Sequence, residues 1–345
     1  MRKLVLVAAA LATVAMDAGP AQACGGLVGA NGTVNLVRTT TLAVHRQGVE
    51  HYVTSFRFAG VGGAFGSIVP LPGVPSNVER GGDWTLQRLV REVRPPVRVA
   101  ASADVREAAA APAEVLSETR IDALDLTVLS GGGRAVGEWA TANGFALTPD
   151  APEVLDFYAR RSPVFLAARF DGQSARERNL ALGEGIPVHL TIPTANPWVP
   201  LRILGLGRQR AERVDADVFL LTERRPRLLA ASSRPGTSVE RQEPASDRLL
   251  ADLRSDKGME WMPGAMWLSY LRVAASPSQL TYDLAVDASG AGEPSLEAAG
   301  LPVPGGDSPG GGRWGVVGLG GGGLAMLGTA AVVASRRRPR SRAAA

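Results

Sequence analysis

The sequence predicts an α+β fold, mainly antiparallel sheets with a few short helices, plus one C-terminal transmembrane helix. Three observations predict it. Apolar runs of strand length, rich in β-branched and aromatic residues and bounded by Gly or Pro, recur through residues 33–286. Helical periodicity with capping signals is confined to short stretches. Residues 314–335 then run without Asp, Glu, Lys or Arg straight into Arg336, Arg337, Arg338, Arg340 and Arg342. Roughly 20 uncharged residues, rising 1.5 Å each, cross a hydrocarbon layer about 30 Å thick. The arginine cluster marks the cytoplasmic side.

In chain order, residues 1–23 combine Arg2-Lys3, an apolar run over 4–16 and Ala21-Gln22-Ala23 at the cleavage positions, the three parts of a signal peptide. Cys24 follows the cut at the position that lipoprotein processing acylates, although Ala21 and Gln22 fit a lipobox poorly. Residues 24–287 form the exported α+β domain, with a division into two subdomains near residue 162 left open. Residues 288–313, filled with Gly, Pro, Ser and Glu, read as a linker. The transmembrane helix 314–335 and an Arg-rich cytoplasmic tail, 336–345, complete the chain. Gly318 and Gly322, four apart, would let two such helices pair closely. The reading is a single-pass cell-membrane protein with its N-terminal domain outside.

Within the exported part, 33–44 and 49–58 predict a hairpin closed at Gln47-Gly48, and 65–69 a strand leading into the proline-rich path 70–75. Helices are expected over 84–93 with Asp83 as cap, 134–143 ended by Gly144, and 152–161 with Asp150 as cap. Strands are expected at 113–117, 121–129, 164–170, 186–192, 201–206, 218–221, 266–273 and 280–286. Residues 223–247 read as polar loops, and Leu249, Leu250 and Leu253 as one helix face.

The formal net charge of +4 invites a nucleic-acid reading, but without the leader and the five tail arginines the chain carries 30 basic and 32 acidic residues. No basic footprint for nucleic acid is left. With Cys24 the only cysteine, an intrachain disulfide is impossible and CxxC zinc sites are excluded. HExxH, GxSxG and GxxxxGK[ST] are all missing. Hairpin register places His45 opposite Glu50 and His51 opposite Val44, so these two of the three histidines lie on opposite sheet faces and share no metal. The third is His189.

Other candidates each have an ordinary structural reading. Ser130-Gly131-Gly132-Gly133-Arg134 can present amides to an anion or simply enter a helix. Asp215 and Asp217 can pair on a cation or flank a strand. Trp261, Met262, Met266 and Trp267 make a recognition patch or a core element. Leu301-Pro302-Val303-Pro304-Gly305 imitates a sortase signal, with Pro304 where threonine is required.

The order of several segments resembles the DUF2330 family of bacterial exported proteins of unknown function. Ala23-Cys24-Gly25-Gly26, Gly66-Ser67-Ile68-Val69-Pro70-Leu71-Pro72, Gly185-Ile186-Pro187-Val188, Trp198-Val199-Pro200-Leu201-Arg202 and Asp217-Val218-Phe219-Leu220-Leu221-Thr222 carry it, over roughly residues 24–285. The resemblance implies a leader and often a C-terminal anchor. It carries over no catalytic residue. Some members have a further cysteine soon after the first, where this chain has Val28 and Gly29.

The functional expectation is a non-enzymatic binding or cell-envelope module whose protein or envelope partner is unnamed. No catalytic, cofactor-binding or metal residue is assigned, and no cofactor is expected. An exported hydrolase with an unfamiliar carboxylate or serine site is the alternative. Such an enzyme would gather at least two titratable groups in a deep pocket.

Overall fold

The computed structural model describes residues 26–29, 35–36, 39–56, 58–59, 65–94, 114–145, 147–171, 186–229 and 234–303. The expected leader 1–23, Cys24, the stretch 314–335 expected to span a membrane, with Gly318 and Gly322, and the arginine tail lie outside the described residues. No helix among those described is long and apolar enough to cross a membrane.

A short strand β1 (Gly26–Gly29) and β2 (Asn35–Leu36) precede the hairpin of β3 (Thr39–Arg46) and β4 (Val49–Phe56). The turn is closed by Gln47 and Gly48, both at positive φ (52° and 76°), the two-residue geometry that matches strand twist. Its register pairs Val44 with His51 and His45 with Glu50, as the alternation implied. Then come β5 (Phe58–Ala59), β6 (Phe65–Leu71), β7 (Asn77–Arg80), α1 (Thr85–Val93), β8 (Glu114–Ile121) and β9 (Leu124–Ser130). Two helices, α2 (Gly133–Ala142) and α3 (Ala151–Ala159), lead to β10 (Val164–Phe170), β11 (Ile186–Pro193) and β12 (Trp198–Val199). The remainder is β13 (Val214–Thr222), β14 (Arg227–Leu229), β15 (Thr237–Pro244), α4 (Asp247–Ser255), β16 (Trp267–Ala275) and β17 (Leu284–Asp287).

Seven strands form the larger sheet, in the order β15-β16-β13-β3-β4-β11-β7, antiparallel except for the parallel pair β13 and β3. Five form the smaller, β1-β6-β10-β9-β8, and three (β12-β17-β14) a side sheet. Alternation divides each strand between faces. Leu42, Val44, Val53, Phe219 and Leu221 of the larger sheet pack with Leu86, Leu89, Leu249, Leu250 and Leu253 of α1 and α4. The opposite residues, among them Ala43, Tyr52, Val188, Leu190 and Leu220, join a second core with the smaller sheet, α2 and α3.

Several expected boundaries move. Ile121 ends β8, because Asp122 (φ 54°) and Ala123 turn the chain into β9. Residues 201–206 hold a 3-10 turn, Arg202–Gly205, in place of a strand. The polar stretch 223–247 supplies β14 and the edge strand β15, whose mostly outward residues gave no hydrophobic alternation to read. Pro70 lies within β6, opposite Phe165. No break occurs near 162, since β10 pairs with both β6 and β9. Composition assigns 288–313 to a linker, yet 288–303 folds back: Asp283 N donates to Ala299 O at 2.9 Å, and Ala299 is buried.

Capping also departs from local expectation. Asp83 ion-pairs with Arg80 instead of capping α1. The buried Asp256, just past α4, accepts from the amides of Asp83, Trp84 and Thr85 at 3.1, 2.9 and 2.7 Å and from Thr85 Oγ1 at 2.8 Å. It thus satisfies the free amides at the start of α1 and complements the helix dipole from a remote segment. Asp150 does not cap α3 with its side chain; it accepts from Gly207 N, 3.0 Å from Oδ2.

Two further buried carboxylates pin the interior. Asp283 accepts from Tyr158 Oη (2.8 Å), Leu201 N (2.7 Å), Arg202 N (3.0 Å) and the Arg161 guanidinium. Burial pushes it up to about 6 against the lowering effect of Arg161. Glu50, 0 % exposed, accepts from Trp198 N at 3.3 Å, and among the described residues its Oε1 has no hydrogen-bond partner. Burial lifts it to about 8.

Two tests follow from these carboxylates. Asp256→Ala should lower unfolding free energy by about 2–3 kcal/mol, since it strips a helix start and leaves buried donors unpaired; a change under about 0.5 kcal/mol in urea melts would contradict the clamp. Glu50 binds its proton more tightly folded than unfolded. Its contribution is therefore full below about 4.5 and declines as pH rises towards about 8, with a slope of up to about 1.4 kcal/mol per pH unit. Glu50→Gln should gain on the wild type across that window, and parallel stability curves for the two proteins would refute the assignment.

Candidate functional site

Two places on the described surface gather chemistry. The first is a cleft of about 600 Å³ where α2 runs out over the smaller sheet. Residues β8 118–120, β9 125–127, Ala167 and Arg169 of β10, and Trp139 and Asn143 from the end of α2 line it. The helix is set there by a tight approach at its other end, where a Cβ on Gly133 would stand 2.4 Å from Asp156 N. Gly144, at φ +84°, turns the chain so that Phe145 lies against Gly66 and beside Trp139.

The cleft floor is a charge lattice. Arg120 donates to Asp125 Oδ1 and Asp171 Oδ2, both at 2.8 Å, while Arg169 donates to Asp125 Oδ2 at 3.2 Å. The hydrogen bond to Asp171 is the main reason the Arg120 guanidinium holds its proton even more firmly than usual, with Asp125 adding to it. These side chains are 28–43 % exposed, so each pair adds little to stability, about 0–1 kcal/mol. Their planar donors and acceptors face water ready to exchange partners with a polar ligand.

The second place lies on the opposite side of the molecule's larger sheet, the face that also carries α1 and α4. His189 on β11 sits opposite Val53, and His51 on β4 opposite Thr191, so the two are diagonal neighbours on one face. His51 Nδ1 and His189 Nε2 are 3.0 Å apart. His189, 1 % exposed, brings Nδ1 to 3.0 Å from Glu79 Oε1 of β7, off the line of a full hydrogen bond. The Trp261 indole stacks on both imidazoles, with centroids 4.0 Å from His51 and 4.7 Å from His189. Its Nε1 donates to Gly258 O at 3.0 Å, which locks the ring's orientation. Burial lowers both histidines to about 4, and in His51 the neighbouring His189 adds to the effect. Both rings are neutral at pH 7.

His45 stands on the other face, as its register required, with Nε2 2.9 Å from Thr194 O. The glycine stretch before α2 does not present a free nest: Gly131 N donates to Pro163 O, and Arg134 points outward beside Glu138. Asp215 pairs with Arg213, whereas buried Asp217 accepts from Tyr270 Oη at 2.6 Å and Arg94 at 2.8 Å. Met262 and Met266 are core residues, and Trp261 packs against the same cluster while covering the histidines. Pro304 and Gly305 of the sortase-like run lie outside the described residues. Among the described residues no three His, Cys, Asp or Glu side chains are grouped to hold a metal.

Sequence reading passed over both places. Arg120 and Asp125 become cross-strand partners only once the turn at Asp122-Ala123 is recognised, and that dipeptide lacks the glycine that would announce it. His189 carried no local signal at all, being 138 residues from His51.

A profile of the family described as an uncharacterized protein conserved in bacteria, DUF2330, matches residues 18–287. The chain belongs to the DUF2330 family. The match spans the whole described body except its last turns. Among curated proteins there is no match. Two solved structures are similar to the chain. One is baculovirus P35, at 11 % identity and TM-score 0.34, covering 62 % of this chain and 77 % of that one. The other is a mutated baculovirus P35 after caspase cleavage, at 7 % identity and TM-score 0.36, covering 72 % and 99 %. Likeness at that level carries no inference to a DUF2330 chain.

Proposed function

We propose that this DUF2330 chain is a single-pass module held on the outer side of the bacterial cytoplasmic membrane, tail inward, and that its cleft beside α2 binds a polyhydroxylated segment of the cell envelope. The placement rests on the leader-like start, the uncharged run 314–335 and the arginines behind it. The binding half rests on one observation, the lattice of Arg120, Asp125 and Arg169 in the cleft floor, with Asp171 paired to Arg120 beside it. Guanidinium and carboxylate groups match vicinal hydroxyls through paired hydrogen bonds. Because these ions are already balanced against one another, a neutral sugar can enter without leaving a buried charge unpaired. Of the two carboxylates lining the cleft, Asp125 is held by both Arg120 and Arg169, an arrangement that supports binding as the first reading.

Full-length protein in detergent micelles, titrated with soluble glycan fragments of the envelope, should bind them, and Asp125→Asn and Arg169→Gln should each weaken binding at least tenfold. Melting temperature should move by only a few degrees, in keeping with exposed ion pairs of about 0–1 kcal/mol. Undiminished affinity in both variants would remove the cleft from the reading. Protease added to intact cells or spheroplasts should release peptides from residues 39–303 and spare the tail; complete protection of that body would refute the placement.

A further inference from the structure

The pair His51 and His189 has features that a hydrogen bond between two neutral imidazoles does not call for. Both rings stand on adjacent strands of the same sheet, where backbone pairing fixes their Cα positions. They lie edge to edge, 29° from coplanar, with Nδ1 of one aimed at Nε2 of the other across 3.0 Å. The indole of Trp261 is nearly parallel to each, at 14° and 19°, so its face roofs the gap between the two nitrogens. Behind His189, on the nitrogen turned away from the gap, stands the carboxylate of Glu79.

We propose that the facing nitrogens of His51 and His189 bind a soft monovalent d10 cation, copper(I) or silver(I), beneath the Trp261 indole. Such ions are content with two nitrogen donors in a near-linear arrangement, which is the number this site provides. A divalent ion such as zinc asks for four donors, commonly including an anionic one. Glu79 Oε1 stands 3.0 Å from His189 Nδ1, off the line of a hydrogen bond but on the side usual for a carboxylate behind a ligating imidazole; a small turn of either group as the cation enters would let it accept the Nδ1–H hydrogen bond and leave Nε2 to the metal. The indole face adds cation–π attraction at a partly desolvated site.

Binding needs a modest rearrangement. Metal–imidazole bonds of about 2 Å would require the two nitrogens to part by about 1 Å, and half-buried His51 is the ring with room to move. With the His189 proton on Nδ1, the bridging proton belongs to His51 Nδ1. It leaves as the cation arrives, and His51 takes one at Nε2, so the tautomer changes with no net proton release. The cation's charge is offset by the Glu79 carboxylate. This site is separate from the cleft and stands whether or not the cleft binds a glycan.

The test uses full-length protein in micelles at pH 7.5 with Cys24→Ser, which removes the single thiol as a competing ligand. Copper(I) is supplied from a chromophoric chelator under anaerobic conditions, with silver(I) in a parallel titration. One equivalent should transfer, with X-ray absorption showing two nitrogen scatterers of imidazole type. His51→Gln should weaken binding at least a hundredfold, and Trp261→Leu about tenfold. His51 is half-buried, so its variant is expected to fold, and circular dichroism with thermal melting checks that; a misfolded His51→Gln leaves Trp261→Leu to decide. No transfer, transfer unchanged by either substitution in folded protein, or zinc bound more tightly than silver would each overturn the proposal.

Discussion

Asp283 is the constraint on which the arrangement of the smaller elements depends. It lies wholly out of water, yet α3 reaches it through Tyr158 and Arg161, the 3-10 turn through the amides of Leu201 and Arg202, and β17 begins at the next residue. A buried carboxylate is tolerable only when its lone pairs are filled, and removing one partner from such a group is far more disruptive than removing the whole set. Burial above all, with the Asp283 carboxylate adding to it, makes Tyr158 give up its own proton with great reluctance. Tyr158 in turn accepts from Ile203 N at 2.8 Å, so one phenol orients both the carboxylate and the turn. Residues 288–303 close over this region through the Asp283 amide.

The larger sheet follows a different logic. Its two faces are apolar, and two separate cores form because each face must be covered. One cover consists of α1, α4 and the segment 256–266. Asp256 joins them by capping the first helix from just beyond the end of the second, across 172 residues. That clamp also sets the segment that carries Trp261, and hence the roof over the histidine pair. Stability and the candidate cation site therefore share an element, while the cleft by α2 is built from exposed pairs whose loss the body can tolerate.

How much of this was legible varied with range. The β3–β4 hairpin was readable down to its register, since a two-residue turn with glycine leaves few alternatives and period-two alternation does the rest. Leu249, Leu250 and Leu253 marked the buried face of α4 correctly. The caps misled, because Asp83 and Asp150 occupied the right positions but spent their carboxylates elsewhere, on Arg80 and on Gly207 N. Strand β15 escaped notice because an edge strand with outward charges looks like a loop.

The amino-acid order alone determined which residues point to the same face of a strand, where the short helices run and that two histidines of one hairpin face apart. Those properties follow from backbone sterics and side-chain periodicity over a few residues. Only the tertiary structure decided which strand would lie beside β4, which distant carboxylate would satisfy α1, and that His189 would meet His51 under an indole. Such choices depend on burial and on partners more than a hundred residues away, where the energy of a contact is set by what else is packed around it.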